Sequence, residues 1–132
     1  LFFKDTATTE IYTLSLHDRS SDLTYAVGAA IAEKFLEARL GKTMMQHKIY
    51  AYISDGGVQE EVSQGAGRIA GLLKLSNLIM FYDANEIQLS TECNVVMKED
   101  TRMKYESWGW NVLEINGNDP DEIRAALILA NK

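Results

Sequence analysis

Two short apolar runs, each followed directly by a polar loop, constrain the fold of this chain more than any other feature. The runs are KIYAYI at residues 48–53 and NLIMFY at residues 77–82. Continuous apolar runs of this length are typical of strands that are buried on both faces of a parallel sheet. The carboxyl ends of parallel strands lie at one edge of the sheet, where ligands bind. We therefore expect the two loops to form a single site across neighbouring strands.

Helical patterns alternate with these strands along the chain. Apolar residues recur at helical spacing after the first loop and again after Pro120, which with Asp119 predicts the start of the last helix. The same spacing occurs earlier in the chain, at Val27, Ile31, Phe35 and Ala38. A third strand-like run, WNVLEI, occupies residues 110–115. The alternation predicts an α/β fold, a doubly wound parallel sheet with helices on both faces. Because three strands leave an unpaired edge, we expect this sheet to be incomplete.

In the helical pattern after the first loop, apolar residues share one face and glycines recur. We predict that five apolar residues form the face that meets the sheet: Val62, Ala66, Ile69, Ala70 and Leu73. Three glycines, Gly65, Gly67 and Gly71, lie within the same pattern, where each costs roughly 1 kcal/mol relative to alanine. A helix that keeps them indicates a close approach of another backbone.

The two loops contain groups that suit a diphosphate and its metal ion. Asp55 in SDGG supplies an anionic oxygen, and Asn85 in DAN, thirty positions later, supplies a neutral one. Both oxygen types are accepted by Mg²⁺ and Ca²⁺. Gly56 and Gly57 remove side chains where a phosphate must approach backbone N–H groups. An Asp-Gly pair after a strand is most often only a turn, so the second loop is what favours a site.

Three stretches of residues 27–132 resemble the thiamine-diphosphate-binding domain of transketolase, in the same order as in that family. They are AVGAAIAEKFLEARLG, SDGGVQEEVSQGAGRIAGLLKLSNLIMFYDANEIQLSTE and EDTRMKYESWGWNVLEINGNDPDEIRAAL. SDGGVQE resembles the family's GDG-x-x-x-E motif, and DANEI resembles its DxN-x-I element. Ser54 replaces the opening glycine, a mild change if the backbone there is not left-handed.

The resemblance implies which residues bind the cofactor, thiamine diphosphate with Mg²⁺ or Ca²⁺. Asp55, the Asn85 side chain and the Ile87 backbone carbonyl would be the metal ligands and part of the cofactor site, and Gly56 would contact the diphosphate. Glu60 matches the family's catalytic interface glutamate, which acts indirectly by meeting a glutamate of the partner subunit. Gly65 stands where many relatives have a second glutamate of that interface network.

The resemblance also implies a function for the parent protein. It would be a transferase that moves a two-carbon ketol unit from a ketose phosphate to an aldose phosphate in the pentose phosphate pathway. Its partners would be sugar phosphates and a second subunit, or a partner chain, that carries the pyrimidine-binding domain. Two alternatives remain open: a non-catalytic cofactor-binding half of a split enzyme, and another thiamine-diphosphate enzyme such as deoxyxylulose-phosphate synthase. We expect this chain alone to be inactive, because that second domain is not part of it.

The first twenty-three residues have a different character. Residues 5–18, DTATTEIYTLSLHD, and residues 19–23, RSSDL, resemble a translated sequencing adapter in two reading frames. We therefore expect a non-native, disordered tail at residues 1–23 and a partial diphosphate- and metal-binding domain at residues 24–132. A native N-terminal tail is the alternative.

Composition argues against several other classes of partner. The chain has 19 acidic and 13 basic residues and a formal net charge of −6, which disfavours nucleic-acid binding. No apolar run approaches the ~20 residues of a membrane span. Cys93 is the sole cysteine, so no internal disulfide can form, which fits a cytoplasmic protein. We expect Cys93 to be an ordinary surface or half-buried thiol.

Overall fold

The structure, a computed structural model, describes residues 2–4, 22–88 and 91–132. Helices and strands alternate through most of these residues. The strands are β1 Phe2–Lys4, β2 Ile49–Ser54, β3 Leu78–Ala84, β4 Ile87–Gln88, β5 Thr91–Glu92 and β6 Glu114–Asn116. The helices are α1 Asp22–Leu40, α2 Asp55–Gln59, α3 Glu61–Leu72, α4 Cys93–Val96, α5 Thr101–Ser107 and α6 Pro120–Ala130. None of these helices is both long enough and apolar enough to cross a membrane.

Four of the strands form one parallel sheet in the order β2, β3, β1, β6. β2 pairs with β3 along its full length, from Ile49 opposite Leu78 to Ser54 opposite Asp83. The loops that follow these two strands therefore begin at the same edge of the sheet. The predicted α/β fold with a parallel sheet is confirmed, and the two motif-bearing strands are neighbours.

The structure differs from the sequence prediction at β1. Phe2 lies opposite Tyr82 of β3 and Glu114 of β6, so β1 fills the position between these strands. The prediction had left all of residues 1–23 outside the fold. A strand belongs there because the backbone N–H and C=O groups of two separated strands need a hydrogen-bonding neighbour. Residues 5–21 lie outside the described residues, so their adapter origin remains a prediction.

The helix starting at Asp119–Pro120 was predicted correctly, whereas the third strand was misplaced. The Asp119 side chain accepts hydrogen bonds from the first-turn N–H groups of α6, and Pro120 is its first residue. The predicted strand at residues 110–115 begins only at Glu114. Trp110 packs instead against the core, and its indole N–H donates to the Gly67 carbonyl at 2.8 Å.

Two glycines of α3 allow the segment after α5 to lie directly against this helix. A Cβ atom at Gly71 would be 2.0 Å from the Trp108 carbonyl oxygen, and one at Gly67 would be 3.0 Å from the Trp108 ring. A Cβ atom at Gly65 would meet nothing within 4 Å. The predicted close backbone approach is therefore confirmed, at Gly71 in particular.

Glu33 is a buried carboxylate that ties α1 to the segment before β2. Its Oε1 accepts a hydrogen bond from the His47 backbone N–H at 2.7 Å and lies 3.0 Å from the His47 ring Nδ1. The backbone N–H of His47, aided by its ring, lowers the pKa of the Glu33 carboxyl below its ordinary value of 4.5. The carboxylate form is therefore favoured by folding.

We expect Glu33→Gln to make the chain less sensitive to acid. A carboxyl group whose pKa is lower in the folded chain stabilises the fold above pH 4.5, and this contribution is lost as the pH falls through the folded pKa. Thermal melts between about pH 6 and about pH 3 should show a steeper loss of stability for the wild type than for the variant. Glu61→Gln, at an exposed position of α3, is the control. Parallel curves for wild type and Glu33→Gln would contradict this expectation.

Candidate metal and diphosphate site

Asp55 is the buried centre of the candidate site. It begins α2 at the carboxyl end of β2 and is only 3% exposed. Its Oδ1 accepts a short hydrogen bond from the Tyr82 hydroxyl. Its Oδ2 accepts hydrogen bonds from the backbone N–H groups of Asn85 at 3.1 Å and Glu86 at 2.8 Å. The carboxylate thus joins the end of β2 to the loop after β3.

The loop after β3 is held in a turn that costs backbone energy. Glu86 has a φ of +64°, in the left-handed region. This conformation costs an L residue about 1 kcal/mol or more. In this turn, the successive N–H groups of Asn85 and Glu86 both donate to Asp55. The bonds to a buried carboxylate offset the cost of the turn.

The Asn85 side chain is hydrogen-bonded at both ends of its amide. Its Nδ2 donates to Asp83 Oδ2 at 3.3 Å, and its Oδ1 accepts from the Ile87 backbone N–H at 3.0 Å. Tyr52 also donates to Asp83 Oδ2, at 2.7 Å. These contacts hold the Asn85 side chain beside Asp83 and Ile87, while its backbone N–H contacts Asp55.

The oxygen donors at this edge of the sheet fit a hard divalent cation. Asp55 offers a carboxylate, Asn85 an amide oxygen with one lone pair beyond its bond to Ile87, and Ile87 a backbone carbonyl. Mg²⁺ and Ca²⁺ accept all three donor types. Within residues 22–88 and 91–132, no three His, Cys, Asp or Glu side chains gather as a metal site. A cation here would therefore depend on neutral oxygens and on oxygens of a bound ligand.

The glycines after Ser54 have separate roles. Ser54 has a φ of −104°, so the serine is not strained where the motif has glycine. A Cβ atom at Gly57 would lie 2.6 Å from Ile53 Cγ1, so packing alone requires a glycine there, and its role in phosphate approach remains a prediction. Gly56 is half-buried in the first turn of α2, beside Asp55. Its predicted contact with the diphosphate remains a prediction.

Glu60, the predicted catalytic residue, is exposed, in contrast to the buried Asp55. It separates α2 from α3, and its exposed side chain makes no capping hydrogen bond to α3. Such a position is open to contact from another chain. Its catalytic role remains a prediction.

The structure adds Tyr82 and Cys93 to the residues around Asp55. Both are buried and line, with Asp55, a cavity of about 480 Å³. Burial and, secondarily, the Asp55 charge raise the pKa of the Cys93 thiol to about 11. The prediction of a surface or half-buried thiol is wrong, because Cys93 is only 6% exposed. The apolar run ending in Tyr82 contained a signal for a buried hydroxyl near the site, but nothing in the sequence around Cys93 indicated its burial.

We expect the Cys93 thiol to react slowly with iodoacetamide. At about pH 8, a pKa of about 11 in place of 9.0 lowers the thiolate fraction, and thus the alkylation rate, about 100-fold. Mass spectrometry of timed samples measures the rate, which should rise with pH up to about 11. The same chain unfolded in guanidinium is the control and should react at the ordinary rate. Equal rates in the folded and unfolded chain would refute the expectation.

Comparison with known proteins identifies relatives of this chain. Residues 3–132 match the family described as "Transketolase, thiamine diphosphate binding domain". A transketolase of Rhodobacter capsulatus is 40% identical over 107 residues, which cover 81% of this chain and 16% of the relative. The crystal structure of transketolase from Campylobacter jejuni is similar with a TM-score of 0.81 and 41% identity, over 83% of this chain and 17% of that one.

A third similar protein was solved with a sugar phosphate. It is a mutant transketolase of Pichia stipitis in complex with xylulose-5-phosphate, 32% identical with a TM-score of 0.78, over 83% of this chain and 17% of that one. The present chain thus spans about one sixth of the length of these relatives, 16% to 17%.

Proposed function

This chain belongs to the transketolase family, whose thiamine diphosphate binding domain it matches, and we propose that it holds the diphosphate end of thiamine diphosphate through a divalent metal ion. The observation that carries the proposal is the buried Asp55 carboxylate bonded to the N–H groups of Asn85 and Glu86. These bonds bring both motif loops to one point. The donor types at that point suit Mg²⁺ or Ca²⁺.

Each proposed ligand has a defined task. Asp55 supplies the negative charge that offsets the cation, and its hydrogen bonds keep the carboxylate from turning away. The Asn85 amide oxygen and the Ile87 carbonyl complete the protein's share of the metal shell, and Gly56 contacts the diphosphate. When bound, thiamine diphosphate supplies the electron sink that ketol transfer requires. Firm anchoring by this chain would hold the cofactor in place relative to the substrate.

We propose that the parent protein is a transketolase acting on sugar phosphates. The Pichia stipitis relative was solved with xylulose-5-phosphate, which supports a ketose phosphate as donor. A two-carbon ketol unit would pass to an aldose phosphate, in the pentose phosphate pathway of the cytoplasm. Glu60 would meet a glutamate of a second subunit, in keeping with its exposed position. The chain alone would have no turnover.

A cofactor-binding half that works with a separate partner chain is the second candidate. One face of α3 favours it, because Val62, Ile69 and Leu73 are each about half exposed, and Leu72 is 79% exposed. These residues include apolar positions predicted to face the sheet, whereas Ser63, Ala66, Gly67 and Ala70 are the buried ones. Exposed apolar side chains on one helix are typical of a surface that a partner covers.

Equilibrium dialysis of this chain with thiamine diphosphate, with and without Mg²⁺, tests the proposed binding. We expect binding that requires Mg²⁺, because the protein donors contact the metal and the metal contacts the diphosphate. Thiamine without its diphosphate is the control and should not bind in either condition. Binding of thiamine diphosphate that does not depend on Mg²⁺ would contradict the proposal. Retention of thiamine equal to that of thiamine diphosphate would contradict it as well. Ketol transfer by this chain alone would contradict the predicted inactivity.

We also propose that residues 5–23 derive from a sequencing adapter. The string resemblance of residues 5–23 supports it. Long-read sequencing of the source DNA across the codons of Leu23 and Thr24 tests it. Continuous genomic sequence through this junction would refute the adapter origin.

A further inference from the structure

Resting on the proposed function, we propose that Asp83 is a positioning residue that decides which end of the Asn85 amide faces the metal ion, and that Tyr52 supports it. Asp83 is the penultimate residue of β3, and Asn85 follows that strand directly. An asparagine side chain binds a cation only through its oxygen, since the amide nitrogen carries two hydrogens and cannot donate a lone pair. A ligand asparagine therefore needs a neighbour that distinguishes its two ends.

The contacts around Asn85 require a single amide orientation. An ionised Asp83 carboxylate only accepts hydrogen bonds, so the group 3.3 Å from its Oδ2 must be the Asn85 amide nitrogen. The Ile87 backbone N–H only donates, so the group 3.0 Å from it must be the amide oxygen. A half-turn of the amide would break both hydrogen bonds. The two contacts reinforce each other and leave one lone pair of the oxygen for a cation.

Tyr52 holds the Asp83 carboxylate in place. Its hydroxyl donates to the same Oδ2 at 2.7 Å, from the neighbouring strand β2. In the strand register, Tyr52 lies opposite Phe81 and Ser54 lies opposite Asp83, so the tyrosine reaches diagonally along the sheet. The two paired strands thus support a chain of contacts from Tyr52 through Asp83 to the Asn85 amide. Groups in this position behind metal ligands typically change metal affinity 10- to 100-fold when altered.

The test exchanges the carboxylate and the amide between positions 83 and 85. Asp83→Asn alone replaces a carboxylate that only accepts with an amide that can also donate, so only the Ile87 N–H still distinguishes the two ends of the Asn85 amide. In the double variant Asp83→Asn/Asn85→Asp, the amide at position 83 accepts from Tyr52 and donates to the carboxylate at position 85. That carboxylate still accepts from Ile87 and offers an oxygen to the metal. Net charge and atom count match the wild type.

The measurement is Mn²⁺ binding to the full chain in the presence of thiamine diphosphate. The electron paramagnetic resonance signal of free Mn²⁺ reports how much of the ion remains unbound. We expect Asp83→Asn to weaken binding about 10- to 100-fold. The double variant should recover most of that loss, and Tyr52→Phe should lose a few-fold, roughly the effect of one hydrogen bond. Asp121→Asn removes the same charge from an exposed site on α6 and should bind as the wild type does.

Each outcome separates the inference from the function on which it rests. No Mn²⁺ binding by the wild type would overturn the proposed function itself. Wild-type affinity in Asp83→Asn would overturn only the positioning role, as would a double variant that binds no better than the single one. If circular dichroism shows that Asp83→Asn does not fold, Tyr52→Phe and the double variant decide the question, and wild-type affinity in Tyr52→Phe would then count against the proposal.

Discussion

Asp55→Asn weakens the Mg²⁺-dependent binding of thiamine diphosphate by more than about 100-fold, because it removes the sole charged ligand of the proposed metal site. The substitution also disturbs the loops. Both Asp55 oxygens accept hydrogen bonds, Oδ1 from Tyr82 and Oδ2 from the N–H groups of Asn85 and Glu86. An amide has one oxygen, so one side of this arrangement loses its acceptor whichever way the amide turns. A buried donor left without its acceptor costs about 1–3 kcal/mol.

Equilibrium dialysis and thermal melts together separate the two effects of Asp55→Asn. The melting temperature of the variant should fall, because a buried donor has lost its acceptor. At lower temperature, where the variant is folded, it should still fail to retain the cofactor. Asp121→Asn is the matched control, because it makes the same substitution at an exposed position of α6. A variant that folds and binds thiamine diphosphate with wild-type affinity would exclude Asp55 as a metal ligand.

Gly71→Ala destabilises the fold by about 3 kcal/mol, the upper range for inserting a methyl group into a packed site. The added Cβ would lie 2.0 Å from the Trp108 carbonyl oxygen and 2.9 Å from its carbonyl carbon. Both atoms belong to the backbone, so no side-chain rotation relieves the contact. Either α3 or the segment that follows α5 must move, and the packing of Trp110 on the Gly67 carbonyl moves with it.

Gly65→Ala is the control within the same helix. A Cβ atom there meets nothing within 4 Å, so the substitution should stabilise α3 by up to about 1 kcal/mol through helix propensity. Urea unfolding followed by circular dichroism gives both free energies of unfolding. A lower free energy of unfolding for Gly71→Ala and a higher one for Gly65→Ala, each relative to the wild type, would support the close contact at Gly71. Changes of equal sign and size in the two variants would contradict it.

The two motif-bearing strands, and the meeting of their loops at one edge of the sheet, were predictable because their signals are local. The apolar runs before Asp55 and Asn85 correspond to β2 and β3, and parallel pairing then brings the two loops to one edge. The N-cap of α6 was predictable for the same reason, since Asp119 and Pro120 act within one turn. Local chemistry of this kind does not depend on what the element later packs against.

The buried faces of the helices were only partly predictable, because apolar residues lie on more than one side. In α1 the spacing from Val27 favoured Ile31 and Phe35, yet these are 39% and 55% exposed. The buried face includes Leu23 and Val27, and its other members are two small residues and a carboxylate, Ala26, Ala30 and Glu33. α3 behaves alike, with Ala66 and Ala70 buried and Ile69 about half exposed. Small side chains give a weak periodic signal although they permit the closest packing.

The contacts behind the site were also beyond the sequence pattern. Tyr82 was assigned only to an apolar strand, and Asp83 was part of a motif without a separate role. Their partners are Asp55, which directly follows β2, and Tyr52, which lies on β2, so only the register of β2 against β3 reveals them. A hydrogen bond between residues that are distant in sequence depends on tertiary structure, which propensity and spacing do not encode.

The left-handed turn at Glu86 has a consequence for the order of folding. Glu86 has a φ of +64°, and its N–H donates to Asp55, which follows the neighbouring strand β2. The turn therefore lacks this stabilising hydrogen bond in a nascent chain until β2 pairs with β3. Because the two residues are separated by 31 positions, closing this contact also costs loop entropy. We therefore expect the loop after β3, which contains Asn85 and Glu86, to reach its final conformation late in folding, after β2 and β3 have paired.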